Sequence, residues 1–560
     1  MYKKCFAQRI GDNQHLIHLW EDSGYSKVEW TNQSYIECEE ADANYVGLNG
    51  EPLKRTANWK SDNPKLHFHD MPAYQKFLVE KYGTNDDPST THREVFFDIE
   101  IEMGEALTEE YIKRAPKKVT SIAWYDKQVD QWGILILDSK SQMKHTKAKN
   151  REIIPCSTEQ ELLAKFLERF REIDPDIIVG WNSDYFDIPY LYYRMAQVLG
   201  TDFAKHLSPI GKVRETPWFK DQFIQIAGVE SLDYMRLHKK FSWADEPSFK
   251  LDAIGEKYAG LKKIEYEGSL DRLFETDINT FIQYNFRDVE ILKVLDEKLE
   301  YLALVKNLSH KGKHNYSEVY ANTKTQDGAI SAYLLSQGII PPAKERNPLS
   351  KKNYAGGYLF CPKAGIYNYM FDEDLTSLYP SIIMTINIGK ETMVGRIIDA
   401  DDRNNRLGLN DLKRKDQDEM LIIENVKRKH TKMKVGELIK FIEKNEWSLS
   451  ANGVFFDTNR ESVLSTILKK WFDERVLYKN KMKDAYKSGD SEAGAGFHMK
   501  QYTMKILLNS LYGATALGSF RYGNVILSES ITLSGQRIIQ ESALAANRHM
   551  NQVMRGETKL

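Results

Sequence analysis

Cysteine is scarce in this sequence of 560 residues: Cys5, Cys38, Cys156 and Cys361 stand far apart, and no C-x-x-C occurs. That excludes a disulfide-stapled fold and reads as reduced, mostly buried thiols in a reducing compartment. No apolar run reaches membrane-spanning length and no secretory leader is recognisable, so the expectation is a soluble, intracellular protein of the cytoplasm. Neither sign of charge is in excess: 78 Lys and Arg face 80 Asp and Glu, for a net charge of −2. A uniformly basic DNA-coating protein is excluded, whereas an enzyme with a local basic channel and acidic metal sites is not. The length suffices for about three or four domains, with a sizeable core.

Residues 1 to 93 mix short apolar runs such as Leu16-Ile17-His18-Leu19-Trp20 with polar and turn residues, and read as a small α+β domain with a linker at 84–92. Next, Glu94-Val95-Phe96-Phe97-Asp98-Ile99-Glu100-Ile101-Glu102 is a strand by composition, and alternation puts Asp98, Glu100 and Glu102 on one face. A row of acids on a strand needs a cation or solvent, and alone it fits a solvated edge equally well. Further on, Asp176-Ile177-Ile178-Val179-Gly180-Trp181-Asn182-Ser183-Asp184-Tyr185-Phe186-Asp187 gives a buried strand, a turn and a helix opening that presents Asp187. Tyr284 and Asp288, spaced i, i+4, share one face of a helix running through Leu292. Three ordered signals in one segment are far less expected by accident than any one of them.

The chain is then organised around Phe371-Asp372-Glu373-Asp374-Leu375-Thr376-Ser377-Leu378-Tyr379-Pro380-Ser381-Ile382-Ile383. The aromatic and aliphatic residues Ile366 to Phe371 suit a buried strand, and Pro380 suits the first position of a helix through Ile388, so Asp374 falls at a strand end. An isolated Asp before a turn is more often an N-cap. Alternation puts Asp372 on the strand face of Asp374, as a second ligand or as a competitor. Residues 390–460 are rich in charge, including Lys427-Arg428-Lys429-His430 and Lys432, which reads as a solvated face or as a phosphate contact. A helix from near Ser462 carries the stripe Leu464, Ile467, Leu468, Trp471, with Arg475 and Lys479 four apart. After a turn at Ser488–Gly496, a second helix places Lys505, Asn509, Tyr512 and Gly513 on one face. A third runs from Ser528 to Arg555, with Gly556 as its C-cap.

Asp374-Leu375-Thr376-Ser377-Leu378-Tyr379-Pro380-Ser381-Ile382 resembles motif A of family B DNA polymerases, most closely those of tailed bacteriophages, and Lys505-Ile506-Leu507-Leu508-Asn509-Ser510-Leu511-Tyr512-Gly513 resembles motif B. The three earlier segments resemble the Exo I, II and III motifs of the 3′→5′ exonuclease domain carried by that family. Tyr354-Ala355-Gly356-Gly357 resembles its Y-x-G-G motif. The resemblance implies a multidomain α/β and α+β protein. An N-terminal domain (1–93 and 303–345) precedes an RNase H-like (DnaQ-like) exonuclease domain (94–302), a partial palm (346–461 and 514–560) and a two-helix fingers hairpin (462–513).

In that reading Asp98, Glu100, Asp187 and Asp288 hold two magnesium ions, with manganese as an alternative, at a spacing of about 3.5–4 Å. One ion activates the water and the other stabilises the leaving 3′-oxygen. Tyr284 orients the water, and Asn182 and Phe186 line the single-stranded 3′ end. At the second site Asp374 and the carbonyl of Leu375 hold two ions, and Tyr379 excludes a 2′-hydroxyl. Arg475, Lys479 and Lys505 grip the triphosphate of a dNTP beside Asn509, while Tyr512 and Gly513 pack against the nascent pair. Tyr354, Gly356 and Gly357 contact template backbone.

One motif is missing: no D-T-D occurs, so the family's motif C, which supplies the second polymerase aspartate, is absent from this sequence. The expectation is a DNA-directed DNA polymerase with a proofreading exonuclease, acting on primer-template DNA and single-stranded 3′ ends. It would be the N-terminal part of a split or truncated enzyme that needs a C-terminal chain with motif C and thumb. A stand-alone exonuclease and a non-catalytic DNA-binding or assembly module are the other readings.

Overall fold

The computed structural model describes residues 1–104, 108–216, 224–242, 244–345, 355–361, 363–366, 374–375, 377–398 and 408–556. Two compact units emerge: Met1–Asn32 with Pro72–Ala321, and Gln33–Met71 with Asn322–Leu560. Residues 1–93 are therefore divided between them. Among the described residues no helix is long and apolar enough to cross a membrane.

The first unit is built on a seven-stranded mixed sheet. Its strands are β1 (Glu94–Ile101), β2 (Val119–Asp126), β3 (Gln131–Leu137), β4 (Thr146–Ala148), β5 (Arg151–Cys156), β6 (Ile177–Gly180) and β7 (Glu230–Asp233), in the order β4-β5-β3-β2-β1-β6-β7. β1 and β7 run parallel to β6, while β2 runs antiparallel to β1. β3 and β6 are near-continuous apolar runs and β2 is buried along its whole length because both faces of the sheet are covered. On one face lies α1 (Glu159–Ile173), whose Leu162, Leu163, Phe166, Leu167, Phe170 and Ile173 recur at helical spacing and enter the core with Phe97 and Ile99 of β1. α2 (Asp187–Val198) follows β6 directly, and α3 (Ile278–Leu299) packs on β1 and β2 through a buried face that includes Tyr284, Asn285 and Asp288.

β1 ends one residue sooner than its alternation implies, with a register slip against β2 between Glu100 and Ile101. The extra residue, Thr120, is on β2. Glu102, just beyond the end of β1, accepts a 3.4 Å hydrogen bond from the Lys118 amide.

In the second unit, α4 (Leu378–Ile386) starts two residues before Pro380 and ends before Ile388, so Pro380 is third in the helix rather than first. That position is tolerated because first-turn amides have no partner inside the helix. The expected strand before it lies largely outside the described residues, as do Asp372 and Glu373. The charge-rich region is a folded sheet of β8 (Met393–Ile397), β9 (Met420–Asn425), β10 (His430–Lys434), β11 (Trp447–Leu449) and β12 (Val454–Asp457), ordered β10-β9-β8-β12-β11. α5 (Val435–Lys444) covers one face through Val435, Leu438, Ile439 and Ile442.

α6 (Val463–Lys487) begins at the N-cap Ser462, and α7 (Ser491–Thr515) at the N-cap Asp490. The turn is shorter than expected, and Gly494 lies inside α7: a Cβ there would sit 2.5 Å from the Tyr486 ring of α6, so glycine permits this close approach. α8 (Val525–Met554) starts three residues early at the cap Asn524 and ends before Gly556, which is left-handed at φ 72°.

Candidate active site

The register of β1 points Asp98 and Glu100 toward α3, where Tyr284, Asn285 and Asp288 line one face. Carboxylate oxygens of Asp98, Glu100 and Asp288 lie within 4.8 Å of one another. Asp187 stands beside them at the start of α2, its Oδ1 accepting a 3.2 Å hydrogen bond from the amide of Ile99, between the two acids of β1. Gly180 is required for this turn, since a Cβ would meet Ser183 Cβ at 2.6 Å, and Asn182 adopts φ 62°. The Asn182 amide donates to Asp233 at 3.0 Å, which fixes the turn to the end of β7. Phe186 packs on Tyr190 with ring centroids 5.7 Å apart, and Asn182 and Phe186 are both half-buried.

This crowding dictates the electrostatics. Burial, followed by repulsion from Asp288, Glu100 and Asp187, pushes the Asp98 carboxyl well above the usual carboxylate range. Burial and Asp288 push Glu100 up to about 8. Asp187 is pushed up to about 7 by burial, against the opposing Ile99 hydrogen bond. Asp288 rises through burial, against the pull of Lys263.

Two partners of these acids carry no sequence signal. Asn285 accepts from Ser121 Oγ at 2.8 Å and donates to Asp98 Oδ2 at 2.6 Å. Lys263 donates to Asp288 Oδ2 at 2.5 Å and to the Tyr284 hydroxyl at 3.1 Å. It reaches the site from a loop that Gly255 brings against α3, where a Cβ would meet Ile291 at 2.7 Å. One polar atom stays without a partner: Asp288 Oδ1 is buried and makes no hydrogen bond. Hard carboxylate oxygens, several to a site and one orphaned, fit a divalent cation of the magnesium or calcium type.

In the second unit Asp374 and Leu375 are exposed. The Tyr379 and Tyr512 rings stack with centroids 4.3 Å apart and 36° between planes. A Cβ on Gly535 of α8 would come within 3.1 Å of Tyr379, and one on Gly357 within 3.4 Å of its hydroxyl. Gln536 donates to the Gly356 carbonyl at 2.6 Å. Gly357 thus approaches the tyrosine after Asp374 and Gly356 is held by Gln536 of α8, whereas Tyr354 lies outside the described residues. Arg475 is half-buried, its Nε buried without a partner, while Lys479, Asn509 and Gly513 are exposed and Lys505 and Tyr512 half-buried.

Residues 321–559 match the family model of DNA polymerase family B, and residues 78–254 match that of its exonuclease domain. The chain belongs to DNA polymerase family B. It is 28% identical to the DNA-directed DNA polymerase of Escherichia phage RB69 over 98% of this chain and 67% of that protein. It is also 28% identical to the DNA-directed DNA polymerase of Enterobacteria phage T4, over 71% of this chain and 47% of that protein. A DNA polymerase of Pyrococcus glycovorans is 25% identical over 84% of this chain and 53% of the relative. The chain thus spans about half to two thirds of these relatives. Within this family B chain, Asp98, Glu100 and Asp187 fall in the exonuclease match and Asp374, Tyr379 and Tyr512 in the polymerase match. Tyr284, Asp288 and Lys263 lie between the two, so the helix face of α3 connects them to the site.

Proposed function

We propose that this chain is a DNA-directed DNA polymerase subunit or segment whose first unit is a 3′→5′ proofreading exonuclease of RNase H-like fold. The observation that carries the reading is the convergence of Asp98, Glu100 and Asp288 on one point, with Asp187 alongside and Asp288 Oδ1 unsatisfied. Two divalent ions held by these four acids would supply an activated water and charge stabilisation at the leaving 3′-oxygen. The other tasks fall to the chain's own groups. Lys263 pulls Asp288 toward its ionised form and fixes the Tyr284 hydroxyl, which is left to orient a water against the scissile phosphate. Asn285 orients Asp98. Asn182 and Phe186 border the site and would receive the terminal nucleotides of a single strand.

The second unit supplies the nucleotide-binding half of a polymerase site, supported by the stacking of Tyr379 on Tyr512 and the approach of Gly357. Asp374 and the Leu375 carbonyl would hold ions there. Arg475, Lys479, Lys505 and Asn509 would take the triphosphate of a dNTP, and Gly513 with Tyr512 the nascent pair. On this reading a partial palm (346–461 and 514–560) and the fingers (462–513) would follow the N-terminal and exonuclease domains. Because no D-T-D occurs in the sequence, synthesis needs that aspartate from polypeptide outside it, continuous with this chain or separate. The setting is the host-cell cytoplasm.

A 3′-labelled single strand with magnesium tests the first activity: the wild type should release label and Asp98→Ala should not. Adding a chain with motif C and thumb tests the second: primer extension should appear, and no gain would contradict it.

A further inference from the structure

The charged run at 427–432 plays no part in either site. β9 and β10 form a hairpin whose register pairs Ile422 with Lys432 and Glu424 with His430. Leu421, Ile423 and Met433 turn inward to α5, so His430, Lys432 and Lys434 occupy the opposite face. The tip is rigid. Asn425 Oδ1 accepts from the amides of Lys427 and Lys429, both at 3.0 Å, the Arg428 amide donates to the Asn425 carbonyl at 2.9 Å, and Arg428 takes φ 57°. Three consecutive cationic side chains are therefore held outward by backbone geometry, not by a flexible coil.

The acids nearby are already committed. Glu424 is taken by Arg396 at 2.6 Å and approached by His430 at 3.4 Å, and Asp418 is taken by Lys434 at 2.9 Å. Lys427, Arg428, Lys429 and Lys432 are exposed and have no acidic partner among the described residues. A cleft beside the tip, lined by Met393, Asn524 and Ile526 among others, carries Arg396 and Arg428 against Glu424 and Glu345 and so has no such excess. The surplus positive charge is thus confined to the tip and the adjoining strand.

We propose that the β9–β10 hairpin is a nucleic-acid contact, its tip gripping the phosphodiester backbone of duplex DNA. The inference rests on the polymerase reading and extends it to residues that belong to neither acid site. Unpaired lysine and arginine on a fixed hairpin bind phosphates without reading sequence and release counterions when they do. The contact therefore adds affinity and salt dependence without base preference.

The test is the salt dependence of duplex binding by the full chain, comparing wild type with Lys427→Gln/Arg428→Gln/Lys429→Gln/Lys432→Gln. A control, Lys440→Gln/Lys444→Gln, removes exposed charge from α5. At a slope of about 0.9 per phosphate contact, the quadruple variant should flatten the plot of log Kd against log [NaCl] by about 2 to 4 and weaken binding at low salt at least about tenfold. The control should do neither, and thermal unfolding should be unchanged. If the quadruple variant unfolds, Arg428→Gln and Lys429→Gln singly should each flatten the slope by about 0.9. A slope equal to that of a DNA-binding wild type overturns the hairpin contact alone, as does an equal loss in the control or a loss seen only with anionic phospholipid vesicles. A wild type that binds no DNA overturns the polymerase reading with it.

Discussion

The Lys263 ammonium lies 2.5 Å from Asp288 Oδ2, and it is the one cation hydrogen-bonded to the acid cluster among the described residues. Burial opposes its charge, but Asp288, Tyr284 and Asp98 more than compensate and hold it protonated. The same pair fixes the Tyr284 hydroxyl. Lys263→Met is expected to lower the exonuclease kcat by about 10- to 100-fold, a range typical of losing the hydrogen-bond partner of a metal-ligating group, with Lys263→Arg recovering part of it. Single-turnover digestion of a 3′-labelled strand separates kcat from binding, and an unchanged rate would remove Lys263 from the account.

Without bound metal, the crowded carboxylates destabilise the folded chain. Glu100, pushed up to about 8 from its ordinary value, binds its proton more tightly folded than unfolded, so stability falls as pH rises from about 4.5 toward 8. Glu100→Gln should therefore raise the unfolding midpoint in EDTA at pH 8 by a few degrees, on the order of 1–3 kcal/mol, while abolishing cleavage. Magnesium should stabilise the wild type and not the variant. Calorimetry with and without EDTA checks both signs.

Acid sensitivity has a separate source. Burial works against the Glu94 carboxylate, but Lys306 at 2.6 Å and Lys127 at 2.7 Å outweigh it and hold the group down at about 2. Its stabilisation is complete above about 4.5 and is lost as pH falls toward 2. His92, held down at about 4 by burial, acts in the same direction, losing stability as pH falls from about 6.5 to 4. Glu94→Gln should cost about 3–5 kcal/mol near neutrality and flatten the acid limb of urea midpoint against pH.

Arg521 is fully buried in the second unit, bidentate on Asp327 at 2.7 and 3.2 Å and bonded to Asp70 Oδ1 at 2.6 Å. It ties the early segment 33–71 to residues hundreds of positions later. Arg521→Met leaves the buried Asp327 and the half-buried Asp70 short of a cation and should destabilise by about 3–5 kcal/mol, whereas adding Asp70→Asn and Asp327→Asn should recover much of the loss. Proteolysis within 33–71 reports the release of that segment.

What could be read from the sequence followed from periodicity and charge. Asp98 and Glu100 on a strand, Asp187 opening a helix, and Tyr284 with Asp288 one turn apart need only local geometry to be placed. Lys263 and Asn285 gain their meaning only from what lies opposite in space. The sheet at 393–457 was hidden by its own exposed face, since in His430–Lys434 basic residues alternate with Thr431 and Met433 and only Leu421, Ile423 and Met433 of this hairpin turn inward. The glycines in the first turns of α7 were read as loop, whereas Gly494 marks contact between two helices.

The central claim is that the acids on β1, α2 and α3 form a metal-dependent site that shortens DNA from its 3′ end. The most direct measurement is the product ladder from a 5′-labelled single strand incubated with the chain and magnesium. The account predicts stepwise shortening from the 3′ end for the wild type and an intact strand for Asp98→Ala, Asp288→Asn or EDTA-treated protein. Equal shortening by wild type and Asp98→Ala, or no shortening by the wild type with magnesium or manganese, would contradict it.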